Sequence, residues 1–126
     1  FTELTRGSAS QVAHLDADIW NVGAKHIPKS AGLTPRERAS FSEMLGGGAR
    51  VDCFRALHAG ASGCFSFWST RSGNQHENRG LRLDYAVASA PLVGGGAPLV
   101  LHDCVHRKEF APNGDHAPVI CAFRRA

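Results

Sequence analysis

Apolar residues recur at helical spacing over one clear stretch. Phe41, Met44 and Leu45 fall at i, i+3 and i+4, the stripe that an amphipathic helix turns toward a core. Its start is written in Thr34-Pro35-Arg36-Glu37: a capping threonine, a proline suited to the first helical position, and a glutamate placed to complete a capping box. Gly46-Gly47-Gly48 closes the element with residues free to adopt positive φ. The pattern predicts a helix of about eleven residues.

Elsewhere the period drops to two. Cys64 to Trp68 alternates loosely and is aromatic-rich, and Leu81 to Val87 alternates again, so both are predicted to be strands. Further strands are predicted from Leu99 to Val105 and from Pro118 to Phe123. Between the first two, Thr70 to Arg79 is polar and reads as a loop presenting Arg71, His76 and Arg79. Gly94-Gly95-Gly96 lacks the Gly-Lys-Ser/Thr sequel of a phosphate-cradling loop and reads as a linker. Strands mixed with a helix and long loops, without internal repeats, point to an α/β or α+β layer arrangement.

Composition narrows the picture further. A chain of 126 residues holds one domain at most. Its 43% apolar and 20% charged residues exclude the disordered and fibrous classes. Fourteen Lys and Arg against eleven Asp and Glu leave a net charge of +3, compatible with a nucleic-acid partner but short of a strongly basic footprint. The four cysteines Cys53, Cys64, Cys104 and Cys121 form no CxxC pair, so buried free thiols are expected. No apolar run approaches the roughly 18 residues of a membrane span. The segment FTELTRGSAS lacks the order of a secretory signal. A soluble protein is expected, and a start at Phe1 fits a processed, truncated or partial polypeptide, with an organelle or the nucleus as possible destinations.

Two clusters carry candidate chemistry. His102, Cys104 and His106 in HDCVH would share one strand face, a conceivable metal site without an apparent fourth ligand. Arg71, His76, Arg79 and Arg82 would form a phosphate-facing basic surface.

The order of motifs is informative beyond any one of them. AGLTPRERASF at Ala31 to Phe41, VDCFRALH at Val51 to His58, FWS at Phe67 to Ser69, RGLRLDYAVAS at Arg79 to Ser89 and GDHAPV at Gly114 to Val119 together resemble the C-terminal half of the exodeoxyribonuclease III and apurinic/apyrimidinic endonuclease family, within the endonuclease/exonuclease/phosphatase superfamily. The resemblance implies half of a two-layer β-sandwich flanked by helices, with residues 1–126 as a single partial domain. It also implies Mg²⁺-dependent cleavage of the phosphodiester beside an abasic site. Carried over, His116 would contact the scissile phosphate or help activate the attacking water. Asp84 would orient and charge-stabilise that histidine, and Asp115 would assist metal binding.

Departures from the pattern cut against activity. Where the family has Gly-Asp-Leu-Asn before Val-Ala-His, this chain reads Ser8-Ala9-Ser10-Gln11 before Val12-Ala13-His14. Ala9 cannot orient water, and Gln11 carries its amide one methylene further out than the expected asparagine. His26-Ile27-Pro28-Lys29-Ser30 replaces a loop whose asparagines touch the DNA backbone in relatives, and Leu81 replaces a tryptophan. The expectation is a degenerate, non-catalytic relative acting as a structural or interaction subunit. Its Asp84, Asp115 and His116 would be vestigial, it would need no cofactor, and a protein partner would cover the open sheet face. The alternatives are the C-terminal half of an active Mg²⁺-dependent nuclease and a nucleic-acid-binding module that has lost hydrolysis.

Overall fold

The computed structural model describes residues 11–70, 73–94, 98–110 and 115–125. Among them are helices α1 (Pro35–Leu45), α2 (Cys53–Leu57) and α3 (Pro91–Gly94), and strands β1 (Arg50–Asp52), β2 (Val87–Ser89), β3 (Leu99–His106) and β4 (Val119–Arg125). β1 pairs antiparallel with β2, and β3 antiparallel with β4. The architecture is mixed α/β, and among the described residues the ladders form two separate two-stranded sheets.

α1 follows its sequence signals. Thr34 Oγ1 accepts the Glu37 amide at 3.2 Å, and Gly46 closes the helix at φ 62°, ψ 42°. The Glu37 carboxylate, however, accepts the Gly32 amide at 3.0 and 3.1 Å, which ties the preceding turn to the first helical turn. Phe41 is buried against the rings of His14 and Tyr85, each at 4.6 Å, whereas Met44 and Leu45 stay half-buried.

The predicted strands at 64–68 and 81–87 become extended segments joined by single bridges, Phe67 to Leu81 and Phe67 to His116, with regular pairing only from Val87. The amides of Ser66 and Phe67 both donate to the Leu81 carbonyl, at 3.0 and 2.9 Å. The amides of Leu83 and Asp84 both donate to the Ser66 hydroxyl, each at 2.9 Å. A side chain has replaced the ladder here, so the two segments form isolated bridges in place of the predicted strands. Of the glycine run, Gly94 ends α3, and residues 95–97 lie outside the described residues.

Arg82 requires the largest correction. Expected on a basic surface, it has no solvent-exposed area. Its Nε donates to Asp18 Oδ1 at 2.8 Å and its Nη1 to Asp52 Oδ1 at 2.9 Å, while Nη2 reaches both remaining carboxylate oxygens at 3.2 and 2.5 Å. Its guanidinium lies 5.1 Å from the Phe54 ring centre and 4.5 Å from that of Tyr85. Burial alone would lower its proton affinity, but the hydrogen bonds and charges of Asp52 and Asp18 raise it instead. A planar five-donor fork between two carboxylates suits arginine and no other residue. Asp52 also caps α2 through the Arg55 amide, and Asp18 also binds Arg55 Nη2 at 2.7 Å.

The expected shared face of His102, Cys104 and His106 is likewise absent. The β3–β4 register slips between Leu101 and Asp103, and this bulge turns Leu101 and Cys104 inward while His102 is exposed. Cys104 packs with Cys53, Phe54, Ala88 and Leu101, with Cys121 against them. All four cysteines are free thiols. Burial, reinforced by Cys121, pushes the Cys53 and Cys104 thiols up to about 12, which keeps them protonated and unreactive. On the hairpin's surface Leu99, Ile120 and Phe123 are exposed. Among the described residues no helix is long and apolar enough to cross a membrane.

Candidate active-site corner

Two of the three expected site residues meet. His116 Nδ1 lies 2.7 Å from Asp84 Oδ2. An ionised carboxylate can only accept, so this contact assigns the imidazole proton to Nδ1 and leaves Nε2 as the atom free to act. Both side chains stay partly open to solvent, His116 at 35% and Asp84 at 30%. The other carboxylate oxygen, Asp84 Oδ1, accepts Gln11 Nε2 at 3.1 Å. Gln11 thus spends its amide on Asp84. Ala9 lies outside the described residues.

Asp115 stands beside this pair as an exposed residue, its backbone carbonyl held by the Trp68 amide at 2.9 Å. The Phe67 ring packs on His116 with centres 5.0 Å apart. Trp68 is fixed by Nε1 donating to Asn78 Oδ1 at 3.0 Å, and Gly80 lies against it so closely that a Cβ there would sit 2.6 Å from the indole and from the Phe67 carbonyl oxygen. That approach explains the glycine before LRLDY.

Of the expected basic surface, His76 and Arg79 are exposed on the 73–79 loop, Arg82 is buried, and Arg71 lies outside the described residues. Arg79 joins Trp20, Phe67, Leu81, Asn74 and His26 around a cavity of about 190 Å³. Trp20, half exposed on the loop after His14, was not singled out by sequence reasoning, because a tryptophan between Ile19 and Asn21 reads as ordinary core. Ser66 was also missed, because a serine inside an aromatic run looks like mere alternation.

The residues do not by themselves fit a magnesium ion. A hard dication wants several oxygen ligands. Both Asp84 oxygens are engaged by Gln11 and His116, and among the described residues no three metal-ligating groups converge. Asp115 could contribute one ligand to a site completed from elsewhere.

In fold, the chain superposes on the AP endonuclease LMAP from Leishmania major with a TM-score of 0.76 at 34% identity, covering 91% of this chain and 33% of that one. It also superposes on the 3′ phosphatase NExo (D146N) from Neisseria, bound to product DNA hairpin, with a TM-score of 0.76. That match covers 98% and 48% of the two chains at 23% identity, an agreement of fold alone. The architecture is therefore that of the AP endonucleases. In sequence, the chain is 44% identical over 108 residues to the DNA-(apurinic or apyrimidinic site) endonuclease of Dictyostelium discoideum, 86% of this chain and 28% of that protein. It is 38% identical over 81 residues to the exodeoxyribonuclease of Bacillus subtilis, 64% and 31% of the two. No protein-family model matches. The chain is homologous to the exodeoxyribonuclease III and apurinic/apyrimidinic endonuclease family, and it spans less than a third of the length of either of these relatives.

Proposed function

We propose that this chain carries the phosphate-facing corner of an abasic-site endonuclease and that, as it stands, it engages a nucleic-acid phosphate without hydrolysing it. The observation that carries this reading is the shared Asp84 carboxylate. One oxygen orients His116 so that Nε2 faces outward, and the other holds Gln11 at the position where the family places a water-holding asparagine. With Ala9 in place of the companion aspartate, the carboxylate that would orient an attacking water is missing, and the loss of such a group costs orders of magnitude in rate. Arg79 and the exposed Trp20 beside the corner supply a cation and a stacking face suited to a phosphodiester strand.

A second role as an interaction subunit is favoured by the exposed Leu99, Ile120 and Phe123 on the β3–β4 hairpin, which a protein partner would cover. A third reading, in which another polypeptide segment supplies carboxylates for a metal and the missing aspartate to restore cleavage, rests on the formed His116–Asp84 pair. A nicking assay on duplex DNA containing an abasic analogue, with Mg²⁺ and then EDTA, separates the readings. The expected result is no nicking above background by the chain alone. Metal-dependent nicking by the chain alone that disappears in His116→Ala would overturn the proposal, and nicking that appears only when a second polypeptide is added would establish the third reading.

A further inference from the structure

We infer that Ser66 is the positioning residue of the His116–Asp84 pair, which deepens the site reading above and rests on its assignment of that pair. Ser66 is fully buried, and its hydroxyl oxygen accepts two amides at once, Leu83 and Asp84, each at 2.9 Å. A hydroxyl has two acceptor lone pairs, and both are used on the segment that carries Asp84. Its carbonyl oxygen accepts the Ala117 amide at 2.8 Å, the residue directly after His116. One buried serine therefore grips both halves of the pair, Asp84 through its side chain and His116 through its main chain.

The neighbours leave no substitute for this grip. In a regular ladder the amides of Leu83 and Asp84 would point to opposite sides and meet different carbonyls; here they converge on one atom. The Leu81 carbonyl is already taken by the amides of Ser66 and Phe67. Removing the hydroxyl leaves two partly buried amides without their partner and frees the Asp84 backbone to turn. The carboxylate then leaves the position in which Oδ2 meets His116 Nδ1. The chemical consequence is loss of the fixed imidazole tautomer, not loss of the imidazole.

The test is proton NMR of the His116 Nδ1–H signal and its exchange with water, measured on the whole chain as wild type, Ser66→Ala and Ser66→Thr, with Cys104→Ala as a control that loosens a core cluster away from the pair. Ser66→Ala is expected to speed exchange about tenfold or abolish the signal, while Ser66→Thr, which keeps the hydroxyl, and Cys104→Ala retain it. If Ser66→Ala does not fold, Ser66→Cys, similar in shape and a poor acceptor, takes its place with the same expectation. A signal in Ser66→Ala, or in Ser66→Cys where it replaces that variant, exchanging within about twofold of wild type overturns the inference. Absence of the signal from wild type overturns the site reading itself, a different outcome.

Discussion

Arg82 and Asp84 lie two residues apart on one extended segment, and each joins a carboxylate to a nitrogen base, yet the two pairings have opposite surroundings. Arg82 is sealed from solvent between Asp18 and Asp52, with every carboxylate oxygen of its partners engaged. The Asp84–His116 pair keeps about a third of each side chain open and one ring nitrogen unspent. The pairing chemistry is similar, and the exposure decides its use. A closed ion pair holds the fold in register, whereas an open one can act on something that arrives from solution.

The largest effect expected from breaking this contrast is at the closed site. Arg82→Met leaves Asp52 buried without a counter-charge and Asp18 with Arg55 alone, at an expected cost of about 3–5 kcal/mol in urea unfolding. Adding Asp52→Asn recovers part of it, since one uncompensated charge is removed; a loss below about 1 kcal/mol would dissolve the distinction drawn here. Gly80→Ala should follow, with about 1–3 kcal/mol lost from the collision of its Cβ with the Phe67 backbone and Trp68. Melting temperature reads this change, and near-ultraviolet circular dichroism of the indole shows whether Trp68 moved.

The next effect is pH-dependent. Burial, then the Arg82 charge, lowers His106 to about 4 from 6.5, so the unfolded chain binds the proton more readily than the folded one. Its contribution to stability is full above pH 6.5 and is lost as pH falls toward about 4. Unfolding free energy measured across that window should fall, and His106→Gln should flatten the slope. The smallest effect belongs to the open pair. Asp84→Asn presents an amide where two donors want oxygens, yet partial exposure limits the expected loss to about 1 kcal/mol by the same urea measurement.

Sequence reading caught the elements whose causes are local. The Thr34 cap, Pro35 and Gly46 determine α1 from within a dozen residues, and alternation identified β3 and β4 to within a residue or two. It failed where a distant partner decides. Nothing near Arg82 announces Asp18 or Asp52, so a charged residue between two leucines was read as surface. The bulge that separates His102 from Cys104 is a property of the pairing, not of HDCVH. Asp84 and His116 were brought together by a resemblance over five motifs, while Ser66, which touches both, carried no pattern to notice.

The central claim, an open and oriented His116 that meets phosphate, is tested most directly by equilibrium binding of abasic-analogue duplex at fixed salt without metal. The account predicts that His116→Ala weakens binding about tenfold with the fold intact, and that raising salt weakens both proteins in parallel. Equal affinity of wild type and His116→Ala would contradict it and leave the pair as a fold tie only.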